Sequence, residues 1–158
     1  MNQPRRPFRI NVGFLINQPI GYSRDFPFSF TPYQFENEEI VENLCGSINL
    51  IRTQSGVQAV MEVSATVDAQ CVRCLEPFKQ GLHTTFQELF TFARVPLSED
   101  EELIPEDGYL DFEQTIKDYL FLEFPIKPLC TPDCRGLCMV CGQKLNESSC
   151  NHVVQEKG

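Results

Sequence analysis

The chain has 158 residues, about the length of one domain, and its 42% of hydrophobic residues suffices for one core with a small appendage. No apolar run approaches the length of a membrane span, so a membrane-spanning protein is not expected. The net charge is −9, with four arginines and no acid in the first 24 residues but nineteen acidic and five basic residues over 25–125. The acidic middle of the chain would repel phosphate, so we expect any RNA contact to involve the two ends.

Two strands are predicted near the start of the chain. Residues 9–16 and 22–30 are rich in β-branched and aromatic side chains, which favour strands. Pro27 lacks a backbone N–H, so the second strand is expected at a sheet edge. The thirteen phenylalanines and the absence of tryptophan predict a core rich in phenylalanine. Cys45, which stands alone beside Gly46, is predicted to be a small buried apolar residue.

The clearest pattern in the chain is a β-hairpin around Gln54, Ser55 and Gly56. Every second residue from position 57 to 69 is apolar, which is typical of a half-buried strand. A further strand is predicted over 81–92. The lone His83 on that strand is expected to face solvent, because an isolated histidine lacks the partners that a ligand or catalytic base requires.

An acidic segment and a helix follow the predicted sheet. Residues 95–108 are acidic and lack periodicity, which predicts a mobile loop. A carboxylate site for magnesium or for acid–base catalysis is the alternative, but contiguous acidic residues are usually solvated. A helix is predicted over 111–124, because Asp111 can cap its first turn and Pro125 ends it. Its apolar stripe consists of Phe112, Ile116, Tyr119 and Leu120.

These elements predict an α+β fold with two parts. Residues 1–125 would form an antiparallel β-meander or hairpin sheet covered by one C-terminal helix, since a helix with one apolar stripe buries it against a sheet. Residues 126–158 would form a small cysteine-rich tail that binds zinc.

The cysteine-rich tail carries the strongest chemical signal. Cys138 and Cys141, followed by Gly142, have the form of a zinc knuckle, in which two thiolates bind one tetrahedral ion and the glycine permits a tight turn. Four sulfurs, or three sulfurs and an imidazole, suit Zn²⁺. The first predicted ligand set is Cys134, Cys138, Cys141 and Cys150, in which Cys130 could replace Cys134.

A second arrangement divides the cysteines between two zinc sites. Cys71 and Cys74 form another C-x2-C motif and could join Cys138 and Cys141 in a zinc ribbon. The second site would then contain Cys130, Cys134, Cys150 and His152. The spacing of the residues leaves both arrangements open.

Disulfide and redox explanations of the cysteines are less favoured. The N-terminal residues lack the long apolar run of a secretory signal, so we expect a reducing, cytoplasmic location. A thioredoxin-like C-x2-C motif should open a helix after a strand. Here Pro77 and a strand-like sequence follow Cys74 instead.

Two motifs resemble those of the YceD-like family, the large ribosomal RNA accumulation proteins of bacteria and plastids. The first is Cys71-x2-Cys74 followed by Pro77, and the second runs from Gly136 through the knuckle to Asn146. The similarity extends from about residue 9 to residue 152. It implies a role in the accumulation of 23S ribosomal RNA and thus in biogenesis of the large ribosomal subunit.

The leading hypothesis is therefore a non-enzymatic assembly factor whose tail is fixed by zinc. The partner would be large-subunit rRNA or a preribosomal particle, and Lys127, Arg135 and Lys144 of the tail could face RNA phosphates or a ribosomal protein. One alternative is an acidic adaptor that binds a basic ribosomal protein. The other is a metal-dependent RNA-processing enzyme, which is disfavoured because a catalytic zinc needs an open position and a nearby base, and no such motif occurs in the sequence.

Overall fold

The structure is a computed structural model that describes residues 5–36, 39–92 and 98–152. It confirms the predicted fold class, since the described residues are mostly sheet, contain one α-helix and end in a cysteine-rich segment. The elements are, in chain order, β1 (Arg9–Asn11), a 3-10 helix (Gly13–Asn17), β2 (Ser23–Phe30), β3 (Tyr33–Gln34), β4 (Ile40–Arg52), β5 (Gly56–Gln70), β6 (Pro77–Thr91), β7 (Glu101–Leu103), β8 (Tyr109–Asp111) and α1 (Glu113–Leu122).

The main sheet has the strand order β2-β4-β5-β6-β7, with β3 also paired to β4. Its neighbours are antiparallel except for β6 and β7, which run parallel over Leu89–Thr91. The predicted hairpin joins β4 and β5, and β5 pairs with β6 over its whole length. Strands β1 and β8 form a separate two-stranded ribbon. The strand with Pro27 lies at the sheet edge, as predicted, because proline cannot donate to a second neighbour.

One face of the main sheet is buried under α1 and the N-terminal segment. The alternating residues of β5 point into the core on one side only, and they include Val57, Ala59, Met61, Val63, Ala65 and Val67. Ile116 and Leu120 of α1 are also buried in this core. The Tyr119 ring stacks on Phe86 of β6, with ring centroids 4.0 Å apart.

Aromatic rings fill the end of the core near the N-terminal segment. Phe8 is buried and packs edge-on against the rings of Phe28, Phe30 and Tyr33. Such edge-to-face pairs contribute about 0.5–1.5 kcal/mol beyond the area that they bury. The predicted core rich in phenylalanine is therefore confirmed.

Several predicted boundaries differ from the structure. The strand predicted over 9–16 ends at Asn11, whose side chain accepts a hydrogen bond of 2.8 Å from the Gly13 N–H and so turns the chain. The predicted helix over 111–124 is observed as Glu113–Leu122. Its N-cap residue is Phe112, which forms no side-chain capping hydrogen bond, and the Asp111 side chain one residue earlier accepts a hydrogen bond from the Glu113 N–H.

Two further predictions were wrong, one for Cys45 and one for the acidic segment 95–108. Cys45 is exposed rather than buried, because it lies on the solvent side of β4. The acidic segment 95–108 is not a loop throughout, since Glu101–Leu103 pairs with β6. Residues 95–97 lie outside the described residues.

No helix in the described ranges combines the length and the apolar composition that crossing a membrane requires.

Candidate metal centres

The two C-x2-C motifs adopt the same turn. In the first, which connects β5 to β6, the Cys71 N–H donates to the Glu76 carbonyl (3.0 Å) and the Leu75 N–H donates to the Cys71 carbonyl (3.0 Å). In the second, the Cys138 N–H donates to the Gln143 carbonyl (2.9 Å) and the Gly142 N–H donates to the Cys138 carbonyl (2.9 Å). The residue after the second cysteine is left-handed in both turns, with φ of 64° at Leu75 and 74° at Gly142. Each motif therefore has the backbone turn of a knuckle, in addition to the C-x2-C spacing.

The first cluster consists of Cys71, Cys74, Cys130 and Cys134, whose sulfur atoms all lie within 4.8 Å of one another. The Cys71 and Cys134 sulfurs are 3.7 Å apart, and the Cys74 and Cys130 sulfurs are 3.6 Å apart. A zinc ion at about 2.3 Å from each of four tetrahedral sulfurs would separate them by about 3.8 Å. A disulfide requires about 2 Å. The cluster thus has the spacing of a tetrahedral metal site, and it is largely buried.

Hydrogen bonds attach the tail to the knuckle between β5 and β6. The Val72 N–H donates to the Pro128 carbonyl (3.0 Å), and the Arg73 guanidinium donates to the Cys134 carbonyl (3.0 Å). Lys144 forms an ion pair with Glu76.

Gly136 is required at the point where the tail meets the knuckle. A Cβ at this position would lie 3.1 Å from the Arg73 carbonyl oxygen, and its φ of 75° is unfavourable for other residues. Together with the hydrogen bonds, this close approach indicates that the tail packs in one defined position against the knuckle.

Asn146 contributes a direct hydrogen bond to the first cluster. Its Nδ2 donates to the Cys134 sulfur (3.1 Å), and its Oδ1 accepts from the Arg135 N–H (2.9 Å). This hydrogen bond is the largest cause of a lowered pKa of the Cys134 thiol. Asn146 lies between Cys141 and Cys150 in the sequence, so a residue of the second cluster's own loop supports the first cluster.

The four thiols of the first cluster differ in acidity. Burial acts to raise the pKa of Cys71, but hydrogen bonds from the backbone N–H groups of Cys74, Cys130 and Arg73 lower it to about 6. Burial raises the pKa of Cys74, and it raises that of Cys130 to about 12. The metal-free cluster is therefore part thiolate and part thiol at neutral pH.

The second cluster consists of Cys138, Cys141, Cys150 and His152, whose ligand atoms also lie within 4.8 Å of one another. Cys138 is buried, whereas Cys141 and His152 are exposed. Backbone N–H groups of Cys141 and Val140 lower the pKa of Cys138 to about 6. Three sulfurs and one imidazole form a donor set that also fits zinc.

The structure brings the predicted ligands together in a grouping that differs from both predicted arrangements. The seven predicted cysteines all belong to the two clusters. Unlike the first arrangement, Cys134 lies with Cys71, Cys74 and Cys130 rather than with Cys138, and unlike the second, the two knuckles lie in different clusters rather than in one zinc ribbon. A turn in which the Cys134 N–H donates to the Thr131 carbonyl (3.2 Å) brings Cys130 and Cys134 together, and the β5–β6 knuckle completes that cluster.

His152 and His83 have different surroundings. His152 completes the second cluster, although the sequence suggested it only for a site with Cys130 and Cys134. His83 is exposed on β6 and contacts the Ser64 hydroxyl through Nδ1 (2.8 Å), as predicted for a solvent-facing strand residue. The repeated C-x2-C spacing was the signal that located the knuckles, but no signal in the sequence indicated which ligands each knuckle would receive.

Relatives of the chain are found among bacterial and chloroplast proteins. The chain is 37% identical over 97 residues to an uncharacterized protein of Mycobacterium tuberculosis, covering 57% of this chain and 45% of that protein. It is 25% identical over 136 residues to the chloroplastic large ribosomal RNA subunit accumulation protein YCED homolog 1 of Zea mays, covering 65% of this chain and 46% of that protein. The corresponding protein of Arabidopsis thaliana is 23% identical over 141 residues, covering 70% of this chain and 44% of that protein.

The chain spans less than half the length of these curated relatives. No solved structure matches it. A family described as "Large ribosomal RNA subunit accumulation protein YceD" matches residues 59–157, which include both knuckles and all eight candidate ligands. This match covers more than half of the chain, confirms the predicted resemblance, and shows that the chain belongs to the YceD family of large ribosomal RNA subunit accumulation proteins.

Proposed function

We propose that the protein is a non-enzymatic, cytoplasmic factor for 23S rRNA accumulation and large-subunit biogenesis, with two structural zinc sites. The observation that carries this proposal is the first cluster, in which Cys71 and Cys74 of the β5–β6 knuckle meet Cys130 and Cys134 of the tail. A metal ion in this cluster would cross-link the two predicted parts, residues 1–125 and 126–158. The names of the maize and Arabidopsis relatives support the link to ribosomal RNA.

Zinc is proposed because of the ligands and their spacing. Thiolate-rich sets favour zinc over magnesium or calcium, and sulfur separations of 3.6 and 3.7 Å fit its tetrahedral shell. With four protein ligands in each cluster, the shell would have no open position for substrate or water, which is typical of structural sites. When bound, the metal would supply folding free energy to a tail that has little core of its own.

The tail offers basic side chains for contact with rRNA or a preribosomal particle. Lys127 and Arg135 are exposed. Lys144 is engaged by Glu76, so it would contribute less to phosphate binding than the other two.

A second candidate is an acidic adaptor for a basic ribosomal protein. It is favoured by the nineteen acidic residues between positions 25 and 125, of which several face solvent on the main sheet, including Glu62 and Asp68. This role is compatible with the first, because an adaptor for a ribosomal protein also promotes assembly.

The proposed function is tested by metal analysis combined with rRNA measurement in cells. The purified protein should contain about two zinc ions per chain, one for each four-ligand set. Cells that lack the gene should have a lower ratio of 23S to 16S rRNA, and Cys71→Ser should restore it less well than the wild type. Cys45→Ser is the matched control, because Cys45 is an exposed cysteine outside both clusters.

Two results would contradict the proposal. One is a metal-free protein whose tail is unchanged by a chelator. The other is cleavage of purified 23S precursor by the protein, which would favour an enzyme.

A further inference from the structure

Most of one side of strand β6 has no neighbouring strand among the described residues. Strand β5 pairs with β6 over its whole length from Pro77 to Thr91. On the other side, β7 pairs only with Leu89–Thr91. The stretch from Pro77 to Glu88 is therefore an edge of the main sheet.

The direction of the backbone groups on this edge follows from both ends of β6. The Glu76 carbonyl accepts from Cys71 on the β5 side, whereas the Thr91 carbonyl accepts from the Ile104 N–H on the opposite side (2.9 Å). Backbone groups alternate in direction along an antiparallel strand, and the β5–β6 register continues without a bulge. The odd-numbered residues 79–87 thus direct their N–H and carbonyl groups away from β5, and we call them the open edge.

The described residues leave this open edge accessible. A Cβ placed at Gly81 would have no heavy atom within 4 Å, and the Gly81 carbonyl accepts a hydrogen bond from the Gln80 side chain instead of from a strand (2.9 Å). The side chains of Lys79, His83, Thr85 and Gln87 are exposed. The opposite edge of the sheet differs, because Pro27 in the middle of β2 interrupts the row of donors there. An unblocked edge of this length is a template for an added strand.

The charges near the open edge favour a basic partner. A strand added beside residues 79–87 would lie in line with β7, so one of its ends would come close to the acidic residues that precede and begin β7, including Glu99 and Asp100. Asp68 and Glu62 are exposed on the adjacent strand β5. Lys79 is already held by Asp68 and Glu42 at 2.6 and 3.0 Å.

These charges disfavour two other occupants. An RNA strand would be repelled by the carboxylates, and a second copy of this chain would bring together two surfaces of a molecule with a net charge of −9.

We propose that the open edge of β6 binds an extended basic segment of a ribosomal protein as an additional strand. This inference rests on the proposed function for the identity of the partner. The backbone hydrogen bonds would supply affinity, and the neighbouring carboxylates would select lysine and arginine side chains.

The test uses the full-length, zinc-loaded protein and a fluorescent ten-residue peptide of alternating lysine and valine with blocked ends. The peptide should bind and should slow amide hydrogen exchange at the odd-numbered residues 79–87. Thr85→Pro should weaken binding at least tenfold, because proline removes an outward N–H that has no bond to β5. Thr85→Val is the matched control, since it keeps both the N–H and the strand propensity, and it should bind like the wild type.

A second peptide distinguishes loss of the backbone hydrogen bonds from misfolding of the Thr85→Pro variant. Methylation of every backbone nitrogen in the peptide, which blocks both of its hydrogen-bonding edges, should abolish binding to the wild-type protein, with no change to the protein itself. An alternating glutamate–valine peptide should not bind, and binding of the lysine peptide should weaken as salt is raised.

Several outcomes would overturn the inference. They are equal binding of the methylated peptide, protection of residues elsewhere in the chain, tighter binding of single-stranded RNA at the same amides, and self-association that Thr85→Pro removes. If the peptide does not bind but loss of the gene still lowers 23S rRNA, the inference is wrong and the proposed function stands. If the peptide binds and 23S rRNA is unchanged, the proposed function is wrong, and the inference keeps the binding of a basic strand at the open edge but loses the ribosomal protein as its partner.

Discussion

The two cysteine clusters contain the same knuckle turn in different surroundings. The first cluster joins the β5–β6 connection to the tail, and Cys74 and Cys130 are 56 positions apart in the sequence. The second lies entirely within the tail, between Cys138 and His152. Because fixing distant residues restricts the unfolded chain more than fixing near ones, a metal in the first cluster should stabilise more structure. In each cluster the knuckle turn determines the position of two thiols, and the rest of the fold determines which other segment of the chain those thiols are connected to.

The largest expected effect is that loss of the metal from the first cluster releases the tail, whereas loss of the metal from the second cluster does not. Cys71→Ser should remove the proposed ion of the first cluster and release residues 126–152 from the knuckle, since the candidate ligands of that cluster lie in both predicted parts. Cys150→Ser should remove only the second ion and leave the tail attached. Native mass spectrometry should find about one ion in each variant, and hydrogen exchange should find the tail exposed only in Cys71→Ser. Release of the tail to the same extent by Cys150→Ser would contradict the comparison.

The next effect is the pH dependence of metal binding at the first cluster. Metal binds thiolates, so protons compete with it and the affinity should fall as the pH is lowered. Cys71, with a pKa of about 6, is already a thiolate at pH 7.5, whereas the raised pKa values of Cys74 and Cys130 keep them protonated in the metal-free protein. Zinc binding to this cluster should therefore release about two protons at pH 7.5 from Cys74 and Cys130, and at most one more from Cys134, whose pKa is lowered by the hydrogen bond from Asn146.

Calorimetry in two buffers of different ionisation enthalpy measures this proton release. The Cys150→Ser background restricts the titration to the first cluster. A release of no protons would mean that the four thiols are already ionised without metal.

The lowered pKa of Cys71 also makes the free energy of unfolding depend on pH. Its stabilising contribution is present above the pKa of an unfolded thiol and is lost as the pH falls through about 6.

A smaller effect is expected from the residue that links the clusters. Asn146→Ala removes the donor to the Cys134 sulfur and should weaken metal binding at the first cluster by about tenfold to a hundredfold, as is typical of hydrogen-bond partners of metal ligands. Cobalt competition in the Cys150→Ser background measures this change. The same substitution in the Cys71→Ser background should leave the second cluster unchanged, and Asn49→Ala on β4 is the matched control. Equal weakening of both clusters would show that Asn146 acts through the whole tail.

The sequence predicted the elements better than it predicted which of the candidate ligands lie together. Period-two alternation located β5, and spacing identified the two knuckles, because both are local patterns. The assignment of Cys134 to the first cluster depends on where the tail returns to the sheet, which is set by contacts such as that between Gly136 and Arg73. The exposure of Cys45 likewise depends on the pairing of β4, which its neighbours in sequence do not specify. Non-local packing therefore accounts for the predictions that failed.

The smallest expected effect concerns the residue that follows each knuckle. Leu75 is left-handed with φ of 64° and 53% exposed, whereas the second knuckle has glycine at the equivalent position, Gly142. A left-handed non-glycine residue costs about 1–2 kcal/mol, and glycine costs about 0.5–1 kcal/mol in unfolded-state entropy. Leu75→Gly should therefore raise the free energy of unfolding by about 0.5–1 kcal/mol, and Gly142→Leu should lower it by a similar amount. Chemical denaturation of the zinc-loaded protein measures both changes, and a loss of stability in Leu75→Gly would mean that the half-exposed leucine side chain contributes more by packing than its backbone conformation costs.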